Sequence, residues 1–497
     1  MRICTASKEY IMNINKIIEN KYLFPLIFCL FFALLVRICI AVFLPGAWRS
    51  DEIFQYMEPA HELLDGHGVV TWEWRTGIRS WLLPTFIAIL MKIGIALGFD
   101  NLILFIRLCF STISLSLVAV FFWYGWRKGG LFLALILGLA AALWPDIASG
   151  GMRTLGEFVA GNLLCLAVVF IIAYRDEYNP RVSSILASCA GFLLGATAAV
   201  RFQIAPASVL AFLFIFKKGH KKQIFLASIF SVIPILFLGI FDYITLGSIF
   251  QSITKNYHYN QTLGVADSFG KKSITYYIKK YTELWGGFLP LVILFALQSG
   301  KEKVFLISIS SFIVFYHSLI SHKEVSFVYP AVPILILCAA LGFYNVLNNN
   351  NQKKYRYILI FSVSMTCVFL GSYAPILSKK GNGINFERWA SKQNDVCGIA
   401  SWGYDSSSVF SNLGGGYSIL KNIVPIYLFD NMNELHYNEE KFNYLITDDM
   451  QVIFERKNKW TLIKCVDNSM CIYHRPGKCL GFPEFDEISN KLMTIGK

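Results

Sequence analysis

Charge is scarce in this sequence. Of 497 residues, 15% are Asp, Glu, Lys or Arg, whereas 55% are hydrophobic, with 42 Phe and 24 Tyr. That balance excludes a wholly water-soluble chain and is the composition of a polytopic membrane protein. Acidic groups are the scarcer sign, 32 against 45 basic residues. The resulting net charge of +13 would suggest nucleic acid in a soluble protein. Here much of the excess lies in short loops between apolar runs, which membrane orientation explains without a nucleic-acid partner. The first apolar run lacks a cleavage-site pattern and is too long for a removed signal peptide. Self-similarity between the two halves is also missing, which counts against the alternative of a transporter or flippase for lipid-linked sugars.

What is abundant is apolar sequence. A span takes about 20 residues, and such runs recur from YLFPLIFCLFFALLVRICIAVFLP near residue 22 to YILIFSVSMTCVFLGSYAP near residue 357. The loops FKKGHKKQ (216–223), SGKEK (299–303) and NNNNQKKYR (348–356) are short and basic, and the N-terminal segment also carries lysines, so all belong in the cytoplasm. Threading from there predicts about eleven spans, near 22–44, 79–98, 101–124, 131–148, 156–174, 184–216, 223–241, 286–299, 304–320, 326–347 and 357–375. Loops 45–78 and 242–285 then face outward, as does YRDEYNPR. On this path 184–216 is one long span with Arg201 inside it. One loop disobeys the charge rule: WRKGG, with Arg127 and Lys128, comes out external. Splitting 184–216 into two short spans changes the parity and conflicts with an external 45–78 loop.

Residues 376–497 change character. KFNYLITDD, QVIFER, KWTLIKCV and MCIYHR read as short strands separated by polar turns, giving a small extracytoplasmic α/β domain behind an α-helical membrane domain, residues 1–375. Most cysteines, such as Cys29, Cys39, Cys109, Cys165, Cys189, Cys338 and Cys367, lie in apolar runs as small buried hydrophobes. Cys397, Cys465, Cys471 and Cys479 lie in the tail, match no common zinc spacing, and in an oxidising compartment predict one or two disulfides.

The stretch RSDEIFQYMEPAHELLDGHGVVTWEW, residues 49–74, follows the first span and holds six carboxylates, two histidines and two tryptophans. Ile53, Met57, Ala60, His61 and Leu64 share one helical face. Ser50 is a candidate N-cap, Pro59 starts a second short helix, and the glycines of DGHG stop it. Two short helices on the membrane surface result, followed by TWEW at the interface. Asp51 and Glu52 therefore stand just outside the bilayer at a helix start, where they either complement the helix dipole or serve as a base toward a membrane-borne substrate. A first-turn carboxylate is expected to stay ionised at neutral pH.

On the same predicted face, FYHSLISHKEVSFVYPAVPILI presents His322, Lys323 and Glu324, with Lys323 either a phosphate ligand or a snorkelling lysine. Arg201 lies in an apolar run, and an intramembrane charge is a functional-site candidate. Arg153 and Glu157, four apart in GGMRTLGEF, read as a structural helix pair. Carboxylate and cations together at a lipid boundary suggest transfer from a phosphate-bearing lipid, the acid deprotonating an acceptor hydroxyl while Lys323, His322 and Arg201 hold the departing phosphate. Tyr257, His258, Tyr259, Tyr276 and Tyr277 of the second loop either close over a sugar or anchor the interface, and Asn260-Gln-Thr262 is a glycosylation sequon.

These residues resemble the two signature regions of the family 22 glycosyltransferases, GT-C-fold mannosyltransferases that extend lipid-linked oligosaccharides and glycosylphosphatidylinositol anchors. SDEIFQYMEPAHELLDGHGVVTWEW with GIRSWLLP matches the first and SHKEVSFVYPAVP the second, in the right order across about 300 residues. Here Arg49 and Ser50 stand where the family has His-Pro, and Ser326 where it has Arg. MRTLGEF and AAVRFQIAP resemble weaker family blocks.

The resemblance implies an inverting transferase that uses a polyprenyl or dolichyl phosphate β-mannose as co-substrate, with no cofactor and no metal. It delivers an α-linked mannose, α-1,2 by the TWEW and RS forms, to a glycan or glycolipid acceptor. Asp51 takes the position of the catalytic carboxylate, with Glu52 beside it. Glu58, His61, Trp72, Glu73, Trp74 and Arg79 become candidate substrate-loop residues. A bacterial inner membrane with a periplasmic site, or an endoplasmic reticulum membrane with a luminal one, would both serve. A metal-dependent oligosaccharyltransferase of the same broad fold would need further external carboxylates and a larger external domain.

Overall fold

The structure is a computed structural model, and it describes residues 20–47, 49–66, 68, 70–348, 386, 388–402, 424–429, 432–447, 459–466 and 470–480. Among the described residues, six helices are long and apolar enough to cross a membrane: Tyr22–Phe43, Leu102–Leu143, Gly156–Arg175, Pro180–Val200, Lys221–Leu246 and Ala331–Asn348. Shorter helices, among them Phe288–Ala296 and Lys303–Ser318, complete an α-helical bundle around one large apolar core.

Two of these helices approach unusually closely. Gly191 and Gly195, one turn apart on Pro180–Val200, face Ala227 and Ser231 of Lys221–Leu246, and a methyl group on either glycine would overlap the carbonyl oxygen opposite. In a bilayer, where lipid is as apolar as any side chain, such backbone proximity supplies much of the helix–helix attraction.

The contacts sort the chain into two ends and correct the threading in two places. Leu102–Leu143 is broken at Gly129 and Gly130, whose backbone angles leave the helical region. The two halves then fold against each other, Gly125 against Ala134 and Gly138 against Phe122. Arg107, near the start of this hairpin, holds Pro45 and Gly46, whereas Trp126, near its turn, meets Tyr22 at 5.2 Å. The turn with Arg127 and Lys128 therefore lies at the end opposite Asp51. There Arg127 pairs with Glu177 at 2.6 Å, Lys301 with Asp176 at 2.5 Å, and Lys128 with Glu302. WRKGG and YRDEYNPR are thus companions of SGKEK and do not share the end of the catalytic-loop candidate.

The misplacement traces to residues 79–98. Leu82–Ala96 has 15 residues, about 22 Å of helix, short of a hydrocarbon core of about 30 Å. It does not cross. Its first turn borders the same cavity as Arg201, and beyond its last turn Phe99 packs on Phe105, back beside Arg107. Pro84, Ile87, Met91 and Gly94 form its buried stripe, while Phe86, Ile89, Ile93 and Ile95 stay exposed.

The second correction concerns 184–216. The helix Pro180–Val200 ends at Arg201, whose backbone is extended, and the short helix Ala205–Leu213 runs back. Arg175 donates to the Phe214 carbonyl at 2.8 Å, returning the chain to the Arg127 end. Two short passes replace one long one, and the loss of a crossing at 79–98 removes the parity conflict. Residues 357–375, the last expected span, lie outside the described residues, as does the expected strand QVIFER.

At the Asp51 end sits a five-stranded sheet in the order β2-β1-β3-β5-β4. Its strands are β1 Ile399–Trp402, β2 Ile426–Phe429, β3 Tyr444–Thr447, β4 Thr461–Val466 and β5 Met470–His474. β1 pairs parallel with β2 and β3, and β5 pairs antiparallel with β3 and β4. Two disulfides, Cys397–Cys479 and Cys465–Cys471, tie this domain. Ile399, Tyr444, Ile446 and Ile472 share a core with Ile53, Phe54 and Met57 of the 49–74 stretch.

A Gly195→Ile variant should destabilise the bundle by at least the ~1–3 kcal/mol of ordinary overpacking, because the obstacle is backbone. Thermal unfolding of the detergent-solubilised protein reads this, and an unchanged melting temperature would refute the close packing of these two helices.

Candidate active site

The site is built where the chain leaves the first helix. After Phe43 the backbone of Pro45 and Gly46 offers carbonyls with no helical partner, and buried guanidiniums take them. Arg107 donates to Pro45 O at 2.5 Å and Gly46 O at 3.1 Å, and Arg153 donates to Gly46 O at 2.8 Å. The same Arg153 nitrogen reaches Glu52 Oε2 at 3.0 Å, an ion pair buried on both sides. Glu52 is thereby committed to structure. Asp51, its neighbour, is left facing the other way.

Asp51 forms neither a hydrogen bond nor an ion pair with any described residue. It keeps part of its surface open, yet dense protein surrounds it. Burial, followed by the nearby carboxylates of Glu324 and Glu73, pushes its carboxyl up to about 8, against a smaller lowering by Arg79. The ionised state expected from its helix position does not follow: burial and two like charges outweigh what the start of the helix contributes. For Glu324, burial acts upward, but a hydrogen bond from His322 and the nearby Arg49 outweigh it and hold the carboxyl below its usual range. The two acids are thus driven apart, one toward the proton and one away from it.

Glu324 is the anchor of the second motif. His322 Nε2 lies 3.7 Å from it and Arg49 Nε 3.9 Å, and Ser326 Oγ donates to it at 3.3 Å. Two of the three departures from the family 22 pattern, Arg49 and Ser326, therefore meet on one carboxylate. His322 also contacts Gly270 O at 3.0 Å, and the hydrogen bond to Glu324, the largest influence on its ring, favours the protonated form. Lys323 is placed differently from the expected phosphate ligand. Its buried ammonium donates to Lys272 O at 3.0 Å and to Ile320 O, which latches the second loop onto the 320–323 turn.

A solvent-open cavity lies within electrostatic reach of Asp51 through Arg79, one of the residues that line it. Arg79 and Arg201 bring positive charge to its wall, Leu82, Leu83, Val200 and Leu238 add apolar surface, and Gln55, Gln203 and Asn256 add neutral polar groups. Each guanidinium is held by a carboxylate: Arg79 by Glu73 at 2.8 Å, Arg201 by Glu157 at 2.5 Å. The expected Arg153–Glu157 pair is not formed, because the loop before Gly156 turns Arg153 toward Glu52 and leaves Glu157 to Arg201. Tyr56, which sequence reasoning missed, is buried against Gly156 and Arg201 and lines the same cavity.

The remaining loop candidates have structural neighbours. Glu58 is fully buried, and His61 bonds Asp65 at 2.9 Å. Trp74 donates to Phe54 O at 2.9 Å and stacks on Trp81, while Trp72 meets Tyr259 at 6.1 Å. The Ser50 side chain lies outside the described residues. The second loop docks on this stretch through Asn256 to Ile78 O and Lys255 to Thr76 O. Within that loop Tyr277 is buried, whereas Tyr257 is exposed.

Arg79 and Arg201 thus line a partly apolar cavity at one end of a helical bundle, with Asp51 within electrostatic reach of Arg79. The family model of the Alg9-like mannosyltransferases matches residues 27–394. The chain belongs to that family. Among Alg9-like relatives, GPI mannosyltransferase 3 of Yarrowia lipolytica is 26% identical over 345 residues, 67% of this chain and 64% of that protein. GPI alpha-1,2-mannosyltransferase 3 of Bos taurus is 24% identical over 375 residues, 71% and 65% of the two chains. The chain thus spans just under two thirds of the length of these relatives. Its fold resembles that of ArnT from Cupriavidus metallidurans, crystallised with undecaprenyl phosphate: the TM-score is 0.56 at 11% identity, covering 90% of this chain and 97% of that one. The GT-C architecture expected from the motifs is the one found.

Replacing Arg153 by Met should strand the buried Glu52 charge and cost about 3–5 kcal/mol. The double variant with Glu52→Met should recover part of that in thermal melts, and a double variant no better than the single would exclude the pair as the cause. Asp51 also predicts a pH dependence. Its carboxyl titrates near 3.8 when unfolded and about 8 when folded, so the folded state binds the extra proton and this group withdraws stability as pH rises through that window. The fall in melting temperature between about pH 5 and 8 should be shallower in Asp51→Asn. Equal slopes would mean that Asp51 is ionised throughout.

Proposed function

We propose that this chain transfers a mannosyl group from a polyprenyl or dolichyl phosphate β-mannose to a glycolipid acceptor, inverting the anomeric centre to an α-linkage, with Asp51 as general base. The observation that carries the reading is the unpaired Asp51 carboxyl within electrostatic reach of Arg79, which lines a cavity together with Arg201 and apolar side chains. Phosphate seeks the guanidiniums, and a lipid tail suits Leu82, Leu83, Val200 and Leu238. The names of the relatives support an anchor-type acceptor and an α-1,2 linkage, and the undecaprenyl phosphate in ArnT supports the donor class.

The chemistry is a single displacement. Asp51 takes the proton of an acceptor hydroxyl, whose oxygen attacks the mannose anomeric carbon from the face opposite the phosphate. The carbon–oxygen bond to phosphate breaks, and its electron pair departs on the phosphate, which Arg79 and Arg201 stabilise as charge develops. A carboxyl raised toward neutrality is a stronger base once ionised than an unperturbed one, which suits a proton acceptor working near neutral pH.

The Asp51 end is read as extracytoplasmic on two independent grounds. Arg127, Lys128, Lys301 and the 216–223 loop gather at the opposite end, and the disulfide-tied sheet requires an oxidising compartment. A periplasm and an endoplasmic reticulum lumen both satisfy this.

The test incubates membranes carrying the protein with polyprenyl phosphate mannose and a mannose-ended glycolipid, followed by linkage analysis. Wild type should form an α-mannoside, and Asp51→Asn should lower turnover by about 10²–10⁴-fold while remaining folded. Near wild-type turnover in that variant would remove Asp51 as the base, and the absence of transfer by wild type would overturn the proposed function.

A further inference from the structure

Glu73 and Arg79 meet only because the chain reverses between them. In an unbroken helix, side chains six residues apart point about 120° away from each other. Here the single turn Trp72–Thr76 ends at Gly77, whose φ of 71° is left-handed, and Ile78 N donates back to Glu73 O at 3.0 Å. That reversal lays the Arg79 guanidinium against the Glu73 carboxylate, Nη2 donating to Oε1 at 2.8 Å. The second loop grips the same reversal. Lys255 donates to Thr76 O at 3.1 Å and Asn256 to Ile78 O at 3.2 Å, and a Cβ at Gly77 would press on the Gln251 side chain. Trp74 pins it as well, donating to Phe54 O and packing on Trp81.

The carboxylate is itself held. Its Oε1 also accepts from Gln55 Nε2 at 3.2 Å, and its Oε2 accepts from Thr71 Oγ1 at 3.3 Å. Gln55 stands four residues beyond Asp51 in the same helical stretch. Glu73 therefore joins the helix that carries Asp51 to the turn that carries Arg79. One guanidinium nitrogen is engaged in this way, while Arg79 Nε and Nη1 bond no described residue. Arg79 lines the cavity and Glu73 does not. A carboxylate so placed can orient a guanidinium toward a ligand without touching the ligand itself.

We propose that Glu73 is a positioning residue: it holds Arg79 by one nitrogen, in register with the Asp51 helix through Gln55, and so presents the guanidinium to the phosphate of the lipid donor. The assignment rests on the reading of the chain as a transferase that releases a lipid phosphate. Glu73 and phosphate carry like charges, so what Glu73 contributes is orientation and not attraction. Its hydrogen bond helps phosphate binding while its charge opposes it, and substitution can separate the two.

Binding of polyprenyl phosphate, measured without turnover in the Asp51→Asn background, makes the separation. Glu73→Ala frees the guanidinium and should weaken the lipid phosphate about tenfold. Glu73→Met serves the same purpose if the alanine variant does not fold. Glu73→Gln keeps an oxygen for Arg79 and Gln55 and removes only the charge, so it should bind at least as tightly as its parent. With Arg79→Met also present, the remaining binding relies on Arg201, and Glu73→Ala should shift it by no more than about twofold, because a residue that acts through Arg79 has nothing left to orient. Parent-like affinity in Glu73→Ala, an equal loss in Glu73→Gln, or the full loss persisting beside Arg79→Met would overturn the assignment. Failure of the Asp51→Asn parent to bind polyprenyl phosphate would refute the transferase reading and this assignment with it, whereas binding that ignores Glu73 refutes this assignment alone.

Discussion

Everything at the Asp51 end depends on buried guanidiniums that seize main-chain carbonyls. Leaving the first helix, the chain must expose oxygens that no helical N–H can reach, and in an apolar setting each such orphan costs free energy. Arg107 and Arg153 meet that need at Pro45 and Gly46. Arg37 does the same one layer deeper, donating to Ala33 O and Ala142 O and to Ser114. The charges are not free to rearrange, since moving any of them would strand several partners at once. Fixing Gly46 and Glu52 leaves Asp51 only one way to face. The unpaired state of that one carboxyl is therefore a product of how thoroughly its neighbours are paired.

Much of the site was legible because its parts are rare in apolar sequence. An acidic stretch directly behind a span, and a His-Lys-Glu turn far along the chain, stand out against 15% charge, and the fold brings Asp51 and Glu324 within electrostatic reach. Their partners were harder to read. Arg153 and Glu157 sit at helix spacing, but Arg153 precedes the helix, so spacing alone assigned the wrong pair. Lys323 looked like a phosphate ligand because charge says nothing about direction, and its ammonium turned toward backbone oxygens. Tyr56 and Gln55 carried no signal, since single polar residues among apolar ones become a wall only when separate helices converge.

The threading failed at one segment and recovered at another for related reasons. Residues 79–98 have the apolarity of a span without the helical length, and hydropathy weighs the first more readily than the second. Arg201 was taken as a charge within one long helix, although its extended backbone ends that helix and reverses the chain. In the sheet domain β3 to β5 were apparent as short apolar runs set between polar turns. β1, with the small residues Ala400 and Ser401 at its centre, and β2, directly behind Pro425, were not read as strands.

The helix Leu82–Ala96 has a consequence for how the reactants of the proposed transfer are counted. Its first turn borders the cavity and Phe86, Ile89 and Ile93 are uncovered, an apolar face that lipid would cover, past which a lipid-borne reactant would enter along the plane of the bilayer. Molecules that arrive this way diffuse in two dimensions, and their encounter frequency follows mole fraction in the leaflet. Adding detergent or inert lipid then dilutes the reactants even though the flask contains the same amount per litre, and surface density becomes the natural unit in which this protein's affinity is expressed.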